Sequence, residues 1–186
     1  MIVSLVIACV GPDRAGLVSA ISDTIAAHGG TWLESRLARL AGQFAGVVRA
    51  DAPEASAEAL TIALGALAGL KVTVTRGDGE AEPPKRRLRL ELLGLDRPGI
   101  VRDATRALAG LGVNIVEFET ELRPAPFSGA PMFYAQAMLE TPAEVDVEHV
   151  RAALESLTGE LTAEFPAGED ARGVRITADI GALSWG

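Results

Sequence analysis

Gly11-Pro12-Asp13-Arg14-Ala15-Gly16-Leu17-Val18 returns 83 residues later as Gly94-Leu95-Asp96-Arg97-Pro98-Gly99-Ile100-Val101. The register then holds without a gap: Gly29 maps onto Gly112, Leu33 onto Val116 and Glu34 onto Glu117. Single glycines coincide often, but a gapless G-x-D-R-x-G with a downstream glycine in step marks an internal duplication. A β-rich apolar run precedes each motif, at residues 2–10 and 87–93. Apolar residues at helical spacing follow it, Leu17, Val18, Ile21 and Ile25 in one copy and Ile100, Val101, Ala104 and Leu108 in the other. The reading is strand, glycine turn, helix, twice. Asp13 and Asp96 stand where a helix N-cap is expected, and Gly29 and Gly112 supply the C-terminal stop.

Working outward, each copy offers two more strand candidates, residues 31–40 with 43–50 and 113–122 with 132–140. Ala41-Gly42 suits a tight hairpin in the first copy; residues 123–131, with three prolines and a glycine, predict a longer exposed loop in the second. A second helix opens near Pro53-Glu54 and near Pro142-Ala143-Glu144, and residues 71–76 and 160–165 close the copies as last strands. The order is β-α-β-β-α-β twice, a split βαβ arrangement of the α+β class with antiparallel four-stranded sheets. Residues 77–84 are rich in glycine, proline and acid. The expected division is therefore a first domain at 1–77, a linker at 78–85, a second domain at 86–166 and a C-terminal tail at 167–186. In the tail, residues 173–179 could add a strand and Trp185 could dock on a surface.

The bulk composition narrows the function. Hydrophobic residues at 48% and charged residues at 23% describe a globular chain, and aromatics at 4% leave the core to Val, Leu, Ile and Ala. A net charge of −8 repels a phosphate backbone. The one basic cluster, Lys85, Arg86, Arg87 and Arg89, reads as a solvated linker and strand edge. RNA-recognition domains share the element order but stack bases on aromatic residues of the central strands. Here Phe44 and Phe133-Tyr134 have no basic companions, so direct nucleic-acid binding is not expected. The single cysteine, Cys9, excludes an intrachain disulfide and reads as a small buried hydrophobe. The first residues show no basic n-region or cleavage site, and no apolar run approaches the roughly 20 residues of a membrane span. The expectation is a cytoplasmic protein without membrane contact. His28 and His149 have no repeated partner, and no nucleophile–base order, phosphate loop or metal-ligand spacing occurs. Neither an enzyme, a metal site nor a cofactor is expected. Domains of this size leave much surface exposed, so a homo-oligomer is.

Asp96-Arg97-Pro98-Gly99-Ile100-Val101, followed by Gly112-Val113-Asn114-Ile115, resembles the signature of ACT domains, which are ferredoxin-like. The first copy departs from it: Ala15 replaces the proline, and Gly30-Thr31 replaces Val-Asn. Two copies without an enzyme domain, together with Glu34-Ser35-Arg36-Leu37-Ala38-Arg39-Leu40-Ala41-Gly42-Gln43-Phe44, look like the glycine cleavage system transcriptional repressor family. The resemblance implies binding of a free amino acid, glycine or similar, at an interface between domains. It also implies an accessory regulator of transcription that acts through a protein partner such as a DNA-binding regulator.

Elementary chemistry agrees in kind. A strand that turns through glycine into a helix leaves backbone N–H groups at the helix start, and an α-carboxylate is a suitable anion for them. The expected ligand-binding set is Gly94, Asp96, Arg97, Gly99 and Asn114, with a weaker counterpart at Gly11, Asp13, Arg14, Gly16 and Thr31. Plainer roles stand beside each. The aspartates could be simple N-caps, the glycines could pack helix on strand, Asn114 could be a turn residue, and the arginines could form ion pairs between domains. A chain that only pairs with another protein, without a ligand, is the alternative reading. Glu34 and Glu117 fall on one strand face, most simply a solvated one.

Overall fold

The computed structural model describes residues 1–77, 86–125, 129–157 and 161–166. The expected linker at 78–85 and tail at 167–186 lie outside the described residues. The chain divides into two compact units, Met1–Ala81 and Glu82–Gly186. The first runs β1 (Ile2–Pro12), α1 (Leu17–Ala27), β2 (Thr31–Leu40), β3 (Gln43–Pro53), α2 (Glu54–Gly65) and β4 (Lys71–Arg76). The second runs β5 (Arg86–Leu95), α3 (Ile100–Gly110), β6 (Asn114–Pro124), β7 (Pro131–Thr141), α4 (Val147–Glu155) and β8 (Leu161–Glu164). Each forms one four-stranded sheet, ordered β2-β3-β1-β4 and β6-β7-β5-β8, with every neighbouring pair antiparallel. This is the tandem βαββαβ, ferredoxin-like plan that the duplication predicts.

In both units the helices bury one face against the alternate residues of the central strands. Leu17, Ile21 and Ile25 of α1, with Ala57, Leu60 and Leu64 of α2, close over Leu5, Ile7 and Cys9 of β1 and Val48, Ala50 and Ala52 of β3. Ile100, Ala104 and Leu108 of α3, with Val150 and Leu154 of α4, do the same over Leu90, Leu92, Ala135, Ala137 and Leu139. Each such Leu or Ile contributes roughly 1.5–3 kcal/mol on leaving water. Burial also raises the pKa of the Cys9 thiol.

The first helices end as their glycines require. Gly29 and Gly112 both take φ 71, and the next residues return N–H bonds into the last turn, Gly30 to Ile25 O at 2.9 Å and Val113 to Leu108 O at 3.0 Å. Paired with the bonds from Gly29 to Ala26 O and Gly112 to Ala109 O, both 3.0 Å, these are Schellman ends. Ala41 and Gly42 both have positive φ, as a two-residue hairpin demands.

Three expectations need correction. The first strands do not stop before their glycines: Gly11 still pairs with Phe44 and Gly94 with Phe133, because a glycine leaves the ladder's own N–H and C=O intact. The loop after β6 is shorter than 123–131, since pairing continues to Pro124–Pro131; residues 126–128 lie outside the described ones. Helix α4 starts at Val147, after a turn at the 142–144 segment. Asp146 caps it by accepting the His149 N–H at 2.9 Å while its own N–H reaches His149 Nδ1 at 3.4 Å. That reciprocal cap gives His149 a structural role.

The buried stripe and the exposed stripe of the helices predict opposite sensitivities. Ile21→Ala, in the core of the first unit, should cost about 2–5 kcal/mol. Ile62→Ala, at a residue of α2 that is 67% exposed, should change stability by no more than about 0.5 kcal/mol. Urea unfolding of the two variants checks the contrast.

Candidate functional site

The strand–helix turns place the ten expected residues in two separate places in each unit. Gly11 and Gly94 pair with Phe44 and Phe133, whereas Thr31 and Asn114 pair with Asp51 and Glu140. Seven rows of sheet separate those pairings, about 24 Å at strand rise. The eleven-residue helices α1 and α3 carry the chain from one end of the sheet back to the other. Within a unit, therefore, Asn114 does not join Gly94, Asp96, Arg97 and Gly99, and Thr31 does not join Gly11, Asp13, Arg14 and Gly16.

Neither aspartate is a helix cap. The N-cap positions belong to Gly16 (φ 89) and Gly99 (φ 88), both left-handed, and no side chain caps either helix. A Cβ on Gly16 would meet nothing within 4 Å, and one on Gly99 would meet the flexible Arg102 guanidinium. Close helix packing is thus not their reason; the left-handed turn is. Gly11 differs. A Cβ there would overlap the Gly69 carbonyl oxygen, so this glycine serves backbone-to-backbone contact beneath the turn.

The two copies use the remaining residues differently. In the first, Asp13 is ion-paired with Arg39 of β2 at 2.9 Å, and Arg14 donates to Ala68 O at 2.8 Å. In the second, the residue in Arg39's place is Leu122, and Asp96 makes no side-chain hydrogen bond or ion pair with the described residues; its N–H goes to Pro131 O at 3.1 Å. Arg97 donates to Asp103 Oδ2 at 2.8 Å, and Arg102 to Asp103 Oδ1 at 2.9 Å. Both motif arginines thus have partners inside their own unit. The Arg102 and Arg97 hydrogen bonds hold the Asp103 carboxyl below its ordinary value of 3.8.

Beside that clamp lies an open hollow of about 430 Å³ lined by Asp96, Arg97, Gly99, Thr120, Leu122 and Phe133, among others. Its size falls within the range of small-ligand sites. It offers a free carboxylate at Asp96 for an ammonium, a hydroxyl at Thr120, an apolar wall, and the uncapped α3 N-terminus beside the Arg97 guanidinium for a carboxylate. Thr120 and Leu122 were not among the expected residues. Their signal in the sequence is slight: an apolar Leu122 at the far end of an edge strand, where a polar residue would be ordinary.

Residues 4–74 match the ACT domain model. The chain is a tandem ACT-domain protein. Its second ACT unit repeats the first in topology, register and turn. Over 164 residues the chain is 25% identical to the glycine cleavage system transcriptional repressor of Escherichia coli (strain K12), covering 86% of each. The repressor of Shigella flexneri matches to the same extent. Among solved structures, an unknown protein from Galdieria sulphuraria superposes with TM-score 0.79 at 31% identity, covering 89% of this chain and 98% of that one. A structure carrying a provisional glycine cleavage repressor name superposes with TM-score 0.63 at 14% identity over 89% of this chain and 98% of its own, which shows the shared fold. No helix among the described residues is long and apolar enough to cross a membrane.

Two measurements follow from the turn geometry. In the second ACT unit, Asp103→Asn should melt below the wild type at pH 7. A depressed carboxyl pKa gives stability that is present above the unfolded value and lost as pH falls through the folded one. The gap should therefore close in melts run below pH 3.8. In the first, Gly11→Ala should lower stability by about 1–3 kcal/mol through overpacking, whereas the same change at an open surface glycine such as Gly65 should not destabilise it.

Proposed function

We propose that this ACT-domain chain is a non-catalytic regulator that responds to a free amino acid, glycine or a small relative, and influences transcription of glycine metabolism through a protein partner. The observation that carries the reading is the second-copy hollow. It sets an unpaired Asp96 carboxylate, suited to an ammonium, beside the uncapped start of α3, whose N–H groups suit a carboxylate, with Arg97, hydrogen-bonded to Asp103, flanking them. The end-to-end likeness to the Escherichia coli repressor supports the regulatory role. The net charge of −8 disfavours direct contact with DNA and favours a protein intermediary. A ligand held by Asp96, Arg97 and Gly99 leaves Asn114 of the same unit untouched, so Asn114 serves a different contact. In the first copy Arg39 already takes the Asp13 carboxylate, so that copy is the structural partner and the second is the responsive one. Binding would act by favouring one of several pre-existing arrangements.

A thermal-shift titration with glycine, serine, alanine and the other free amino acids tests this. A saturable, selective rise in Tm is expected. Asp96→Asn and Thr120→Val should each weaken the response at least tenfold with the unliganded Tm unchanged, and Asp13→Asn should leave it intact. No shift with any amino acid at millimolar concentration would overturn the sensing role and leave a ligand-independent assembly module.

A further inference from the structure

Strand β6 returns to the end of the sheet at which α3 begins, Leu122 pairing with Phe133 and Phe133 with Gly94. Residues directly opposite in a ladder share a face, so Leu122 lies with the buried Phe133 on the helix side of the sheet. Earlier on that face Ile115 and Phe118 pack against the core, whereas Leu122 is 60% exposed. Val101, in the first turn of α3, is 40% exposed. Leu122, Phe133 and Val101 all line the hollow that holds Asp96 and Gly99. The first unit shows that the backbone does not require this arrangement. There the residues in place of Thr120 and Leu122 are Leu37 and Arg39; Leu37 packs against the core and Arg39 pairs with Asp13. The second copy thus carries its apolar side chain two positions further along the strand, at a place where the same fold accepts a charge.

We infer that, among small amino acids, the hollow favours one with a branched aliphatic side chain, valine above alanine and alanine above glycine, and that Leu122 sets this preference. The inference rests on the sensing role and narrows it. The uncapped start of α3 and the Asp96 carboxylate meet the α-carboxylate and the ammonium, which every amino acid has, so neither discriminates among side chains. Selection falls to the rest of the lining. Val101, Leu122 and Phe133 present carbon, and each methylene that leaves water against such a wall raises affinity roughly fourfold. Glycine covers none of that surface. Glu121 also lines the hollow and, with Asp96, repels an acidic side chain; its own carboxylate is paired with Arg123, so a basic side chain finds it taken.

Calorimetric titration of the full chain with glycine, alanine and valine tests the inference. Affinity should rise along that series, by about tenfold or more from glycine to valine. Leu122→Ser should bring valine within about threefold of glycine while glycine's own affinity and the unliganded Tm stay unchanged. Val101→Thr, a second and independent change in the wall, should lower the valine preference in the same direction. Glycine binding as tightly as valine to the wild type would overturn the inference and leave the sensing role standing. So would a Leu122→Ser protein in which glycine and valine weaken alike, the sign of a structural part only. Binding of no amino acid would overturn the sensing role and this inference with it.

Discussion

A strand that must turn within a few residues into a helix lying back across its own sheet has few backbone solutions, and this chain uses one of them twice. The residue before the first helical turn sits at φ near +89°, where an L side chain is strained. Glycine at positions 16 and 99 makes the turn possible, and the turn sets where α1 and α3 begin. Their apolar stripes then meet the sheet in the phase that buries Ile21 and Ala104. The second left-handed glycine, at 29 and 112, releases the chain into the edge strand. Between them the two glycines fix the helix length at eleven residues, and with it the separation of the two ends of each sheet.

That fixed length also decides which residues can cooperate. Gly99 and Asn114 are near in sequence and belong to one family signature, yet the helix between them carries them to opposite ends of the sheet. Sequence proximity across a helix is a measure of axial distance rather than of contact. The residues that do meet Asp96 and Arg97 are Thr120 and Leu122, which arrive from the return strand after the chain has travelled up the sheet again.

The fold was legible because its signals are local and repeated: glycine turns, a 3.6-residue stripe in each helix, and a hairpin at Ala41-Gly42 that only positive φ can close. The site was legible only in part. Asp96, Arg97 and Gly99 lie together because they are consecutive in the turn. Thr120 and Leu122 depend on strand register, which a bulge between Ile115 and Glu117 shifts by one residue, and no local pattern announces that shift. The aspartates misled for a related reason. Asp next to a helix start usually caps it, but the left-handed glycine moves the true start three residues on, leaving Asp13 and Asp96 on the approach to it. The late start of α4 has the same character, since its Asp146–His149 reciprocal cap outweighs the nearer proline.

The Asp13–Arg39 pair has a bearing on how the duplicated halves diverge. Both side chains are partly solvated, so the pair by itself adds little to stability, roughly 0–1 kcal/mol. Its effect on competition is larger. A guanidinium tethered to the neighbouring strand is present at an effective concentration on the order of millimolar or more, and any dissolved ammonium seeking Asp13 must displace it. One arginine in place of a leucine thus engages the turn carboxylate of one half of the molecule without altering its backbone. A duplicated chain can in this way carry two turns of one backbone, one with its carboxylate engaged and the other with it open to solvent.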